Sequence, residues 1–197
     1  MPDSTRALHD TLKKALAGVD ATFTVADEKK LAKTLVSLLD ALNAQTVAIT
    51  AEPELVEYGV ANVIVLREGT ALVAPPSKGV DPADVAEWKQ RLAATDVGIT
   101  SALGIAAETG TLLLPPQATD QRAVSLLPIH HVALIPADRV VPDISSLFAQ
   151  WQKSGRTNGN AVFVTGPSRT ADIEKELVLG VHGPQSLHVL LVKQSRP

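Results

Sequence analysis

No cysteine occurs among the 197 residues. That excludes disulfides, thiol nucleophiles, cysteine-type zinc sites and iron–sulfur ligation by this chain itself. Aromatic residues are nearly as scarce, at 3%, too few to build a stacking platform for single-stranded bases. An excess of positive charge is missing as well. The formal net charge is −3, whereas a nucleic-acid binder presents a basic face, so nucleic acid is excluded as a main partner. No apolar run approaches the roughly 20 residues needed to cross a bilayer. The opening stretch MPDSTRALHDTLKKAL lacks the apolar segment of a signal peptide. A cytoplasmic protein is expected.

Several catalytic and cofactor signatures are absent too. No two glycines lie two residues apart, so the dinucleotide pattern G-x-G-x-x-G cannot occur, and G-x-x-x-x-G-K-[ST] is not found. Gly166-Pro167-Ser168-Arg169-Thr170 holds half of a G-x-S-x-G nucleophile elbow, with Asp172 and His182 following in a hydrolase-like order. Thr170, however, replaces the second small residue. Asp172 would also stand one helical turn from Ser168, too close to act through a histidine, so the triad reading is disfavoured. His130 and His131 are neighbours on an expected strand, where adjacent side chains point to opposite faces. They cannot easily share one ion. His9 is expected to face solvent on the first helix, and no metal is expected.

What is present is an ordinary globular composition, 45% hydrophobic and 20% charged. At this length it suits one well-buried domain over residues 1–197, with residues 1–45 as a helical region at its start. Leu8, Leu12, Ala15 and Leu16 form one stripe of a helix over Asp3 to Ala17, ended by Gly18. Leu31, Leu35, Leu38, Leu39 and Leu42 do the same for a helix from Asp27, its expected cap, to Leu42. Its apolar face reads as core; an arm docking on another subunit, and hence an oligomer, is the minority alternative.

From Thr46 onward, short apolar runs are cut by Pro and Gly. Strands are expected at 47–49, 60–66, 71–73, 97–100, 112–114, 131–135, 161–164 and 187–192, with a hairpin turn at Glu68-Gly69. Helical turns are expected at 53–58, 101–107 and 122–127, and helices at 81–94, starting at Asp81-Pro82, and 142–153. Strands alternating with helices, several of the strands apolar throughout, indicate an α/β domain: a largely parallel sheet covered by helices in three layers. Such sheets bind ligands at the carboxyl ends of their strands.

Two stretches stand out as candidate sites. In Ala161 to Pro184 an apolar strand breaks at Gly166-Pro167 and is expected to restart as a helix through Ser168 to Glu174. A helix N-terminus carries free N–H donors and partial positive charge, so Ser168, Arg169 and Thr170 there could seat an anion. Gly180 would end that helix, and His182-Gly183-Pro184 would turn the chain back. The plainer reading makes Ser168 or Thr170 an N-cap, and Arg169 a surface partner of Asp172 or Glu174. The second stretch is Glu108-Thr109-Gly110-Thr111. A carboxylate set among Ile105, Ala106, Ala107 and Leu112 to Leu114 is expected to have a raised pKa, suited to acid–base or nucleophilic work. Otherwise Glu108 braces a backbone turn or an arginine.

The phrases Val97-Gly98-Ile99-Thr100, Ala106-Ala107-Glu108-Thr109-Gly110-Thr111, Leu126 to His131, Gly166 to Glu174 and Leu179-Gly180-Val181-His182-Gly183-Pro184 occur in that order. Together they resemble the lactate-utilisation (LUD) domain family, in particular its short members of the lactate-utilisation protein C type. The resemblance covers residues 97–192. It implies a fold similar to the NagB/RpiA/CoA-transferase-like group. It also implies a bacterial cytoplasmic role in oxidising L-lactate to pyruvate, alongside iron–sulfur partner proteins. No cofactor is expected on this chain beyond a small anionic ligand such as a carboxylate. The family brings no agreed catalytic residue, so Glu108 stands as a candidate catalytic group. Thr109, Gly110, Thr111, Gly166, Ser168, Arg169, Thr170, Asp172, His182 and Gly183 stand as candidate ligand-binding residues. The alternative is a free-standing enzyme on an acyl or phosphorylated small molecule, similar to a CoA transferase or isomerase and using Glu108.

Overall fold

A computed structural model describes residues 3–74, 81–115, 121–171, 177–179 and 183–194. Helix α1 (Asp3–Gly18) leads into strand β1 (Thr22–Asp27), a 3-10 turn at Glu28–Lys30 and helix α2 (Leu31–Ala41). Strand β2 (Thr46–Ile49), helices α3 (Pro53–Glu57) and α4 (Val60–Leu66), and strand β3 (Ala71–Leu72) follow. Next come helix α5 (Pro82–Ala93) and strands β4 (Val97–Ser101), β5 (Gly104–Ala106) and β6 (Thr111–Leu114). A 3-10 turn at Gln121–Ser125 precedes β7 (His130–Pro136), β8 (Val140–Val141) and helix α6 (Ile144–Lys153). The last strands are β9 (Val162–Val164), β10 (Arg169–Ala171), β11 (Leu177–Leu179) and β12 (Ser186–Lys193).

Six strands form a parallel sheet in the order β1-β12-β7-β4-β2-β3. The sheet is covered on both faces, as its apolar central strands require. On one face Ala26, Ile99, Val132, Leu134, Leu190 and Val192 pack with Leu35 and Leu39 of α2 and Val60 and Ile64 of α4. On the other, Ala133, Ile135, Val189 and Leu191 pack with Leu12 and Leu16 of α1. A second, four-stranded sheet, β8-β5-β6-β9, adds Ile105, Leu112 and Leu114 to that same core. Leu12, Leu16, Leu35 and Leu39 are fully buried, so the two leucine stripes are core, as their spacing predicts.

Local signals act where expected at several boundaries. Asp81 caps α5 by accepting from the Ala83 amide at 2.8 Å, with Pro82 next in line. Asp143 caps α6 through Ser146 N at 2.7 Å. Gly98 admits the 3-10 turn against β4: a Cβ there would stand 2.0 Å from the Val124 carbonyl oxygen.

Elsewhere tertiary packing overrides local preference. Residues 60–66 are expected as a strand because Val and Ile favour one, yet they form α4. Gly59, at φ 62°, opens it, and burial of Val60 and Ile64 four residues apart, with Leu66 83% exposed, is helical periodicity. The expected hairpin at Glu68-Gly69 is absent, and β3 instead pairs parallel with β2. Residues 101–107, expected as helix, include β5, which pairs antiparallel with β6. All seven are buried, which a half-exposed helical turn could not achieve. Strand β1 lies inside the expected helical region and goes unannounced by its sequence. Asp27 precedes a 3-10 turn but makes no side-chain capping bond. His9 is half-buried, with Nε2 shielded from solvent.

The largest correction concerns Ser168 to Glu174. Arg169–Ala171 is a strand paired antiparallel with Leu177–Leu179, so no helix begins at Ser168. Residues 172–176 and 180–182 lie outside the described residues.

Candidate functional site

Gly166, Ser168 and Gly183, three of the expected ligand-binding residues, line one pocket of about 210 Å³. Its wall includes Ser125, His131, Phe163, Thr165 and Leu187. The loop after β9 is held by specific backbone constraints. Gly166 has φ 77°, and a Cβ on it would stand 2.8 Å from the Val19 carbonyl oxygen, so glycine is needed for both conformation and space. The Ser168 amide donates to the Pro184 carbonyl at 2.9 Å. A Cβ on Gly183 would stand 3.0 Å from Ser168 Cβ, so this glycine lets the two segments close on each other.

His131 supplies the pocket's most distinctive group. It is 1% exposed, its Nε2 is 2.9 Å from Thr100 Oγ1, and its Nδ1 has no hydrogen-bond partner. Burial, reinforced by the nearby His188, pushes its pKa down to about 4. The ring is therefore neutral near pH 7, with Nδ1 enclosed and unpartnered. As alternation along β7 predicts, His130 points the other way, half-buried, with Nδ1 2.8 Å from Ser186 Oγ. Among the described residues no group of three or more His, Cys, Asp or Glu could hold a metal ion.

The remaining expected residues divide. Thr109 Oγ1 is 2.7 Å from Thr111 Oγ1, which is 2.8 Å from Thr165 Oγ1 on the pocket wall. Gly110, at φ 69°, forms the turn between them and backs onto Leu16. Glu108 is exposed, its amide bonded to the Pro142 carbonyl at 3.0 Å. The apolar enclosure expected around its carboxylate is not there, because its apolar neighbours in sequence turn inward while it turns out. Arg169 is exposed and ion-paired with Asp20, outside the pocket wall. That pair is the plainer of its two expected roles, though with Asp20 rather than Asp172 or Glu174, and such surface pairs contribute little. The Thr170 backbone pairs with Val178 across the β10–β11 ladder. Asp172 and His182 fall outside the described residues.

This pocket lies beside the amino ends of β7 and β12, through His131 and Leu187. The carboxyl ends of the parallel strands carry a different group, which no sequence motif marks. Just past β2, Thr50 Oγ1 donates to Glu52 Oε2. Glu52 is 3% exposed and its Oε1 has no partner. Burial raises its pKa, opposed by the Thr50 hydroxyl, the backbone amides of Glu52 and Ser101, and the charge of Arg156. Glu54 pairs through Oε1 with Arg139 NH1 at 2.6 Å, leaving Oε2 without a partner. Ser101, at the end of β4, is 1% exposed with an unpartnered Oγ. The available signal was the run Thr50-Ala51-Glu52-Pro53-Glu54 directly after an apolar strand, which placed two acids at a strand's carboxyl end.

A parallel six-stranded sheet with helices on its faces and a second small sheet defines the class: an α/β protein. Its architecture is similar to the crystal structure of a DUF162 family protein from Deinococcus radiodurans. That likeness has a TM-score of 0.67 and covers 95% of this chain and 98% of that one at 19% identity. The family follows from sequence. The LUD domain model matches residues 10–192, and this chain belongs to the LUD domain family. Among its relatives, lactate utilization protein C of Anoxybacillus flavithermus is 29% identical over 92% of this chain and 78% of its own. Lactate utilization protein C of Bacillus subtilis is 34% identical over 79% of this chain and 68% of its own. Among the described residues no helix is long and apolar enough to cross a membrane.

Proposed function

We propose that this chain is a cytoplasmic, non-redox component of a lactate-utilisation system that oxidises L-lactate to pyruvate together with iron–sulfur partner proteins. The observation that carries the reading is kinship with proteins named lactate utilization protein C along most of their length. The chain has no cysteine, so two-electron oxidation through iron–sulfur centres requires ligands from another polypeptide. The 210 Å³ pocket is the seat we assign to a small carboxylate or to a partner's side chain, with His131 Nδ1 and the Ser168 loop as its polar contacts. Deletion of the gene is expected to abolish or strongly slow growth on L-lactate while leaving growth on glucose intact. Unchanged growth on lactate would overturn the reading. A tagged copy from lactate-grown cells is expected to recover cysteine-rich iron–sulfur proteins.

A further inference from the structure

Helices α2 and α4 cover the same face of the parallel sheet, to which they turn Leu35, Leu39, Val60 and Ile64. Away from that core they enclose an open groove of about 800 Å³. Its walls carry apolar residues at helical spacing, Ala32 and Val36 on α2, Val63 and Leu66 on α4. The two helices run the same way. Arg67, just past α4, pairs with Asp40 near the end of α2 at 2.8 Å, while Tyr58, just before α4, and Leu31, at the start of α2, line one hollow. Leu66 therefore stands toward the carboxyl end of the groove, and it is 83% exposed. Large apolar side chains so placed beside an apolar groove mark an interaction surface.

Charge narrows the occupant. Lys33, Asp40, Arg67 and Glu68 line the groove. Two of them are committed to each other, since Arg67 donates to Asp40 at 3.0 and 2.8 Å, and also to the Ala44 carbonyl at 2.6 Å. Lys33, toward the amino end, and Glu68, at the carboxyl end, have no ion-pair partner among the described residues. The groove thus presents a free charge of each sign at its two ends, with the protruding leucine beside the negative one. Such a pattern complements its own image after a half-turn, the property an isologous contact requires. The grooves of two copies then meet antiparallel. Leu66 of each enters the Ala32–Val36 half of the other, and Lys33 of each meets Glu68 of the second copy. A small-molecule site would make its polar groups converge, whereas these charges stand apart. A membrane surface would select a cationic rim, and this rim is neutral.

We infer that the α2–α4 groove is a self-association surface, on which a second copy of this chain docks about a two-fold axis with Leu66 as the inserted side chain. The inference is independent of the lactate role and of the pocket at His131.

Sedimentation equilibrium of the full chain over a dilution series tests it. A reversible dimer of twice the 20.7 kDa chain mass is expected. Leu66→Asp should weaken it roughly tenfold or more, with the circular dichroism spectrum unchanged because that side chain is exposed. Lys33→Glu and Glu68→Lys should each weaken association by setting like charges opposite one another, and the two together should restore it. A different interface would not give that restoration. A chain that stays monomeric at every concentration overturns the inference. So does a dimer that survives Leu66→Asp, or one in which the double reversal binds no more tightly than either single change. A chain that never self-associates but loses an iron–sulfur partner on Leu66→Asp overturns it as well, and assigns the groove to that partner.

Discussion

Two groups of polar residues at opposite ends of the parallel sheet are treated differently: on the face of the sheet away from His131, those at the amino ends are bonded to one another, and those at the carboxyl ends are left partly unpaired. At the amino ends a continuous row runs across three strands. His130 Nδ1 is 2.8 Å from Ser186 Oγ, which is 2.9 Å from His188 Nε2, and His188 Nδ1 is 2.5 Å from Thr22 Oγ1. Beside it, Asp96 accepts from the Gln45 amide at 2.9 Å and from the amide and hydroxyl of Thr46, each at 2.8 Å, tying the starts of β2 and β4 together. These groups are linked to one another by direct hydrogen bonds. At the carboxyl ends, Glu52, Glu54 and Ser101 each keep an atom unpaired. Polar residues closed on one another fix strand register; polar residues left open in a buried place retain capacity for something else.

Breaking the closed end should have the largest effect. Asp96→Ala removes three accepted hydrogen bonds, two of them from backbone amides, and is expected to cost about 2–3 kcal/mol in urea denaturation. Ser186→Ala interrupts the row at its centre, separating His130 from His188, and should cost about 1–2 kcal/mol.

Titration sharpens the contrast because the two ends respond to pH with opposite sign. Burial lowers the pKa of His188 to about 4, and that of His130 is lowered chiefly by burial, against the pull of Asp96. His131 on the opposite face behaves likewise, at about 4. A histidine whose folded pKa lies below its ordinary 6.5 binds fewer protons folded than unfolded. Its favourable contribution is present above pH 6.5 and is lost as pH falls toward 4. Glu52 is raised above its ordinary 4.5, so it favours folding below pH 4.5 and detracts once pH exceeds its folded value. The melting temperature of the wild type should therefore fall between pH 6.5 and 4. Glu52→Gln should raise it near pH 7, an advantage that shrinks toward pH 4. A Glu52→Gln gain that stayed constant with pH would remove the carboxyl from this account.

The smallest effect is expected at the open end. Ser101→Ala discards a buried hydroxyl that has no partner, so stability should stay within about 0.5 kcal/mol or rise. A loss above about 1.5 kcal/mol would show that the hydroxyl is satisfied in the folded protein.

Legibility in the sequence followed the range of the interactions involved. The helices α1, α2, α5 and α6 and the strands β2, β4, β6, β7 and β12 could be read because periodicity and capping are local. Asp81-Pro82 and the leucine stripes carry their instructions within one or two turns. The failures at 60–66, 101–107 and 168–174 share a cause. In each, pairing or packing decides the conformation and propensity does not announce it: α4 packs on α2, β5 is held between the adjacent strand β6 and the distant β8, and β10 pairs with the next strand, β11. The candidate site divided in the same way. Gly166, Ser168 and Gly183 are legible as turn residues and do meet at one pocket. Sequence shows His131 only as a neighbour of His130 on a strand, because burial and an unpaired nitrogen leave no mark in a sequence. Glu108 has apolar neighbours in sequence, yet the turn points it outward, while Glu52, marked only by its place just past an apolar strand, is the carboxyl that becomes enclosed.

By itself, the sequence determined the α/β class, the family, the cysteine-free chemistry and the placement of most helices. Those properties rest on composition, on ordered motifs and on contacts within a few residues. Only the tertiary structure decided the strand order and the second sheet. It alone buried Glu52 and Ser101 side by side at adjacent strand ends. Burial and pairing are made by segments about 50 residues apart, and no local pattern specifies which of them meet.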